Sequence, residues 1–225
     1  MAAAADAMKV ALLGAESTGK TSLAAALARH WQAGGQPVHA VAEYLREWCE
    51  REGRTPQPHE QAGIAQEQAR RALACPPGHW LVADTTPLMV AIYSDLLFDD
   101  PSLYRFALDH QRHYDLTLVT GLDLPWVPDG LQRDGPHVRE PVDARLRAAL
   151  ARANVPYRVV YGEGDGRLAQ ALLAINSVAA HAEAVRATGS FASDKRPWRW
   201  ACDKCSDPDC EHRLFTGLGL GGANL

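Results

Sequence analysis

Short apolar runs alternate with longer amphipathic segments along this chain. The runs have the length of buried strands and cover residues 10–13, 38–42, 80–84, 116–119 and 157–160. In the segment after the first run, Leu23, Leu27 and Trp31 recur at every fourth residue, which is the spacing of one helical face. No two runs are joined by a hairpin turn. The pattern predicts an α/β fold, a three-layer parallel sheet flanked by helices.

The segments between the later runs favour helices as well. These helices are predicted over residues 59–74, 87–97, 103–113, 142–154 and 167–187. The segment 122–141 is long, polar and interrupted by proline and glycine, so it is predicted to be a functional loop. We place the main domain at residues 8–188 and a small cysteine-rich C-terminal tail at residues 189–225.

A complete G-x-x-x-x-G-K-[ST] motif lies between the first strand and the first helix. Its glycines permit the turns that aim backbone N–H groups at a phosphate, and the helix N-terminus adds its positive end. Lys20 would reach the outer phosphates, and the Thr21 hydroxyl would bind Mg²⁺. The alternative is a chance glycine-rich turn, but the complete motif in this position predicts ATP with Mg²⁺. The residues assigned to the nucleotide are Gly14, Glu16, Ser17, Thr18, Gly19, Lys20, Thr21 and Ser22.

Two acidic residues follow strands at the edge where parallel sheets bind ligands. Asp84 is predicted to hold Mg²⁺ or its water, and the alternative is a helix cap. Glu43 is predicted to be the base that takes a proton from the attacking hydroxyl, and the alternative is a surface glutamate. Arg46 either binds substrate or forms a surface ion pair with Glu43, and the sequence does not separate these two interpretations.

The loop 122–141 has the character of a lid. Phosphoryl transfer requires cations that close over the transferred group, and Arg133 is predicted to act there, with Arg139 on the nucleotide. Asp129 would orient one of these arginines or the substrate. A solvated surface loop is the alternative, and the length and position of the segment favour the lid.

Further side chains are assigned to the substrate. Tyr44 or Trp126 would stack on a substrate ring, and Gln68 would present a planar amide to it. For Gln68, the ordinary alternative is the polar face of a solvated helix.

Cysteines crowd near the C-terminus in the pattern C-x2-C-x4-C-x-H. Thiolates and an imidazole at this density fit a closed tetrahedral Zn²⁺ site with a structural role. The predicted ligands are Cys202, Cys205, Cys210 and His212. A redox pair or an unligated tail is the alternative. Cys49 and Cys75 are isolated and are predicted to be small core residues.

Charge and composition limit the classes of partner. The net charge of −4 gives no electrostatic reason to expect a nucleic-acid partner. No secretory signal and no segment of membrane-spanning length is found in the sequence, so we expect a cytoplasmic protein without a membrane partner. A homo-oligomer is compatible with these features.

Several motifs together resemble one family, the nicotinamide riboside kinase domain of the bifunctional NadR type. The resemblance covers residues 8–175 and rests on G-x-E-S-x-G-K-[ST] at 14–21, E-Y-x-R-E at 43–47, I-A-x-x-Q at 64–68, D-T at 84–85 and a segment similar to P-W-x-x-D-G-x-R at 125–133. The resemblance implies a stand-alone P-loop kinase that phosphorylates a nucleoside-like molecule. Its leading substrate is nicotinamide riboside, converted to the mononucleotide in NAD metabolism. The cysteine-rich tail lies outside the family's kinase domain.

A different class of protein has to be weighed against this kinase. A nucleotide-dependent regulatory protein would bind ATP or GTP, hydrolyse it slowly, and use a zinc-stabilised tail for docking. The predicted base Glu43 and the lid arginines favour the kinase, whereas the tail is better explained by the regulatory protein.

Overall fold

The computed structural model describes residues 7–127 and 135–188, the last four of them by their backbone alone. The described strands form one five-stranded parallel sheet in the order β2-β3-β1-β4-β5. They are β1 (Lys9–Leu13), β2 (Val38–Val41), β3 (Trp80–Asp84), β4 (Leu116–Thr120) and β5 (Tyr157–Val160). The predicted parallel α/β architecture is confirmed. The sheet belongs to a compact unit that ends at residue 184.

The helices of the described residues connect these strands. They are α1 (Lys20–Ala33), α2 (Tyr44–Glu52), α3 (Gln61–Leu73), α4 (Pro87–Phe98), α5 (Tyr104–Gln111), α6 (Arg139–Arg152) and α7 (Gly164–Thr188). Short 3-10 turns at Pro58–Glu60 and Pro136–Val138 precede α3 and α6. No helix in this part of the chain is long and apolar enough to cross a membrane.

The sheet carries a hydrophobic core on each face. On one face, α1 and α7 pack against the strands, and Leu23, Leu27 and Trp31 are all buried there as predicted. On the other face, α4, α5 and α6 form the second core around residues such as Leu88 and Leu146. Both faces of the central strands are therefore covered, which explains why these strands are mostly apolar.

The register of the strands brings their carboxyl ends together. Leu12 of β1 lies opposite Asp84 of β3 and Leu118 of β4. The residues that follow β1, β3 and β4 therefore emerge side by side at one edge of the sheet. This is the edge at which doubly wound sheets bind their ligands.

Two helices start earlier than their sequence indicates. Helix α6 begins at Arg139 rather than at residue 142, and α7 begins at Gly164 rather than at residue 167. Pro141 and Gly166 suggested loops, but a proline in the first turn of a helix loses no hydrogen bond, because N–H groups there have no intrahelical acceptor. The predicted loop 122–141 is correspondingly shorter at its end.

Candidate functional site

The loop between β1 and α1 has the shape of a phosphate cradle. Gly14 and Gly19 have φ angles of 149° and 77°, in a region that other residues avoid. A Cβ on Gly14 would also overlap the hydroxyl of Thr120, and a Cβ on Gly19 would lie 2.8 Å from the guanidinium of Arg167. Lys20 begins α1, and its Nζ donates to the carbonyl of Ala15 at 2.8 Å. Both glycines are thus favoured by conformation, and Gly14 also by the lack of space for a side chain.

Two threonines stabilise this loop through hydrogen bonds. The hydroxyls of Thr18 and Thr120 lie 2.6 Å apart, and both residues are fully buried. Thr18 also lies 2.8 Å from the carbonyl oxygen of Ala15, and Thr120 lies 3.2 Å from that of Leu13. Thr120 ends β4, so the phosphate loop is tied directly to the neighbouring strand.

A buried arginine on α7 braces the same loop from the side. Arg167 is 3% exposed and donates a hydrogen bond to the carbonyl oxygen of Thr18. It also pairs with Asp123 at 3.2 Å, and Asp123 accepts from the backbone N–H of Gly162 at 2.6 Å. Burial lowers the pKa of Arg167, although the guanidinium keeps its charge. The loops after β4 and β5 are thereby joined to the phosphate loop.

The beginning of the predicted lid is attached to the phosphate loop. The Ser17 hydroxyl donates to the carbonyl of Val127 at 2.9 Å, and the Val127 N–H donates back to this hydroxyl at 3.1 Å. The indole N–H of Trp126 lies 3.5 Å from a carboxylate oxygen of Glu16. Trp126 thus contacts the phosphate loop in this structure.

Arg139, assigned from the sequence to the nucleotide, is buried at the start of α6. It donates to the carbonyls of Leu122 and Leu124, at 3.3 Å and 2.8 Å. In this position it holds the backbone of the lid segment. The predicted lid residues Arg133 and Asp129 lie outside the described residues.

Asp84 and Thr85 present buried polar atoms at the end of β3. Asp84 is 4% exposed, and its Oδ1 has no hydrogen-bond partner among the described residues. The hydroxyl of Thr85 is likewise unpartnered there, and Thr85 has a positive φ of 76°. A buried carboxylate is costly unless a cation or a donor compensates it. This environment fits the predicted role of Asp84 beside Mg²⁺.

One cavity of about 610 Å³ extends from the phosphate loop into the space between α2, α3 and α4. The predicted base Glu43 and the predicted substrate residue Arg46 both line it, and they form an ion pair at 3.7 Å. At the loop end, the cavity is lined by Gly14, Glu16, Ser17, Thr18, Gly19, Lys20, Thr21 and Ser22. Every residue assigned to the nucleotide from the motif therefore borders this cavity. Its volume suits a small molecule.

The far end of the cavity is built by residues that the sequence did not single out. Helix α4 contributes an apolar wall that includes Met89, Tyr93 and Phe98. Gln61 at the start of α3 also borders the cavity, although only 3% of the residue is exposed. The one available signal was that α4 is apolar on nearly all sides, which indicates a buried helix but not a binding wall. Nothing in the sequence distinguishes Gln61 from its polar neighbours.

Two other predicted substrate residues have different surroundings. The ring of Tyr44 is covered by the guanidinium of Arg71, at 4.5 Å from the ring centroid. Gln68 is fully buried beneath the junction of β2 and α2, and its amide bonds three backbone groups there. Neither side chain is among the residues that line the 610 Å³ cavity.

The two isolated cysteines of the described region behave as small apolar residues. Cys49 is buried and borders the cavity, as a core residue of α2. Burial, together with the nearby charge of Glu43, raises the pKa of its thiol to about 11, so the thiol stays protonated near neutral pH. Cys75 is only partly buried, and burial also raises the pKa of its thiol.

The predicted zinc ligands fall outside the described residues. Within residues 7–127 and 135–188, no cluster of three or more histidine, cysteine or acidic side chains could hold a metal ion. The zinc site of the tail stays a prediction from the sequence.

A parallel sheet in this order, with a glycine-rich loop between its first strand and first helix, defines the P-loop kinase fold. The profile of a family described as "AAA domain" matches residues 9–167, and the chain belongs to that family. No curated protein sequence matches the chain.

Among solved structures, the chain is similar to a deoxyadenosine kinase from M. mycoides. The form with the products dCMP and dCDP gives a TM-score of 0.51 at 13% identity, over 76% of this chain and 100% of that one. The form with bound dCTP gives a TM-score of 0.50 at 14% identity, over 76% of this chain and 100% of that one. At this level of identity the likeness shows the fold.

Proposed function

We propose that this protein is an ATP-dependent kinase that phosphorylates a nucleoside-like small molecule. The observation that carries the proposal is the shape of the 610 Å³ cavity. One end is the phosphate-binding loop, the other is an apolar chamber, and Glu43 and Arg46 border the same continuous space. A donor phosphate and an acceptor hydroxyl would meet in this space, as a direct transfer requires.

The donor end of the cavity fits a nucleotide with a divalent cation. Lys20 and the backbone N–H groups of the loop would bind the phosphates, and Asp84 and Thr21 would hold Mg²⁺. The cation, when bound, neutralises charge on the phosphates. Arg133 would add a second cation from the lid, a role that rests on the sequence motif.

At the acceptor end, Glu43 would accept the proton of the attacking hydroxyl. It stands at the N-terminus of α2, at the edge of the cavity and beside Arg46. The side chain of Arg46 is 35% exposed and is positioned to orient either the substrate or this carboxylate. A nucleotide-dependent regulatory protein needs no such base beside a second chamber, so the geometry favours the kinase.

Nicotinamide riboside is the substrate we propose first. The motif resemblance supports it, and so does the far end of the cavity. Tyr93 and Phe98 offer aromatic surfaces to a ring, and a cationic pyridinium ring is attracted to such faces and to the nearby Glu43 carboxylate. Gln61 borders the same space, and its carboxamide is complementary to a ring that carries an amide.

A substrate panel tests the proposal. Purified protein with Mg²⁺ and ATP, or GTP, is incubated with nicotinamide riboside, deoxyadenosine, deoxycytidine and thymidine, and ADP or GDP formation is followed. We expect acceleration by one nucleoside, and by nicotinamide riboside above the others. Acceleration by a different nucleoside would change the substrate and keep the kinase. Slow hydrolysis that no nucleoside accelerates would overturn the proposed function in favour of a regulatory protein.

A further inference from the structure

Gln68 is a buried amide that bonds three backbone groups. It lies on α3 and is 2% exposed. Its Oε1 accepts from the N–H of Tyr44 at 2.7 Å, and its Nε2 donates to the carbonyls of Ala42 and Thr85, each at 3.2 Å. Because the partners are a backbone donor and two backbone acceptors, only one orientation of the amide satisfies them. Both N–H groups of the amide are engaged.

The three partners surround the predicted chemistry. Ala42 and Tyr44 are the residues on either side of Glu43, so the Gln68 side chain bonds the backbone both before and after the proposed base. Thr85 directly follows Asp84, the predicted magnesium residue. Gln68 therefore connects the end of β2, the start of α2 and the end of β3 through a single planar group.

The bond to Tyr44 also takes over the capping of α2. Tyr44 is the first residue of this helix, so its N–H has no acceptor within the helix. Glu43 occupies the N-cap position, and its side chain makes no capping hydrogen bond. N-cap side chains usually satisfy the first N–H groups of their helix. With Gln68 capping the helix instead, the carboxylate of Glu43 borders the cavity.

We propose that Gln68 is a positioning residue that fixes Glu43 relative to Asp84 for phosphoryl transfer. The proposal rests on the proposed kinase function for its catalytic consequence, and on the three hydrogen bonds for its geometry. It replaces the expectation that Gln68 contacts the substrate ring, since both N–H groups of the amide are engaged and the residue does not border the main cavity. A displacement of a catalytic group by about 1 Å can lower turnover by about 100-fold.

The variant Gln68→Met keeps the length and volume of the side chain and removes its hydrogen bonds. Gln111→Met is the matched control, because Gln111 is also fully buried and its amide bonds Thr86 and Thr117, at 2.6 Å and 2.9 Å. We expect both variants to lose stability, and only Gln68→Met to lose about 10- to 100-fold in kcat while its affinity for ATP stays unchanged. Equal loss of kcat in the two variants would reduce Gln68 to a general structural role.

A double-mutant cycle with Glu43→Gln separates positioning from general damage. If Gln68 acts through Glu43, the substitution Gln68→Met should not lower the residual turnover of a Glu43→Gln enzyme any further. An equal fold-change in both backgrounds would overturn the proposal.

Hydrogen exchange tests the geometry without any need for activity. The amide of Tyr44 should be protected in the wild-type protein and in Gln111→Met, and should exchange about 10-fold faster or more in Gln68→Met. Unchanged protection of this amide in Gln68→Met would overturn the proposal that Gln68 holds the backbone beside Glu43. A wild-type protein that transfers phosphate to no nucleoside would overturn the proposed function and the catalytic consequence, and the exchange result would still decide whether Gln68 holds this backbone.

Discussion

The substitution Arg167→Met removes a buried cation from beside the phosphate-binding loop and keeps most of the apolar volume of the side chain. The guanidinium side chain is 4% exposed, whereas that of its partner Asp123 is 31% exposed. A hydrogen bond from a charged donor to a buried carbonyl, here that of Thr18, contributes about 1.5–3 kcal/mol. The pair with the half-exposed Asp123 adds about 1 kcal/mol or less. We expect a loss of about 3 kcal/mol in the free energy of unfolding.

The same substitution should weaken nucleotide binding, because Arg167 holds the backbone of Thr18 in the binding conformation of the loop. If the variant populates that conformation about a tenth of the time, the Kd for ATP rises about tenfold. Urea unfolding gives the stability, and calorimetric titration with a non-hydrolysable ATP analogue gives the Kd.

The control for this experiment is Arg147→Met on α6. Arg147 pairs with Asp143 at 2.6 Å, but its side chain is 33% exposed and is not among the residues that border the cavity. A surface pair of this kind contributes about 0–1 kcal/mol, so the control should bind ATP normally. A folded Arg167→Met protein with the wild-type Kd for ATP would refute the reasoning.

Three further predictions concern the proposed base, the proposed metal residue and a buried histidine. Glu43→Gln should lower kcat by about 100-fold or more and leave the Kd for ATP within about twofold, because only proton acceptance is lost; calorimetry and initial rates check it, and retained turnover removes Glu43 as the base. Asp84→Asn should raise the Mg²⁺ concentration needed for half-maximal turnover by about tenfold, measured by magnesium titration, and an unchanged titration contradicts the metal role. Burial lowers the pKa of His110 from 6.5 to about 4, so the folded state favours the neutral ring. The stability that this group contributes to the folded protein is therefore present above pH 6.5 and is lost as the pH falls towards 4. Between about pH 7.5 and about pH 5, the free energy of unfolding of the wild-type protein should fall by about 2 kcal/mol through this group, and that of His110→Gln should fall by less. Urea unfolding at both pH values measures this, and an equal fall in the two proteins would contradict the prediction.

The sequence was informative wherever a local pattern determines the structure. Parallel strands with both faces buried form nearly continuous apolar runs, so the three central strands β1, β3 and β4 were predictable. The phosphate loop was predictable because its conformation depends on glycines at fixed spacing, such as Gly14 and Gly19. Glu43 and Arg46 were predictable as cavity residues because the ends of parallel strands meet at one edge.

The remainder depends on contacts between residues that are distant in the chain. Arg167 lies 149 positions from the Thr18 carbonyl that it bonds, and nothing near Arg167 in the sequence indicates this partner. The buried position of Gln68 could not be predicted for the same reason. A glutamine on a helix is ordinarily a polar surface residue, and only the structure shows its three backbone partners. The apolar sequence of α4 indicates a buried helix, but it does not indicate the cavity that this helix borders.

The central claim is that one cavity brings the terminal phosphate of ATP to the hydroxyl of a nucleoside. The most direct measurement is mass spectrometry of the products after incubation of the wild-type protein with Mg²⁺, ATP and nicotinamide riboside, with Glu43→Gln in parallel. The account predicts a nucleoside monophosphate and ADP in equal amounts from the wild-type protein, and both products at about a hundredth of the wild-type rate or less from the variant. ADP accompanied by inorganic phosphate, at a rate that no nucleoside in the panel changes, would contradict it.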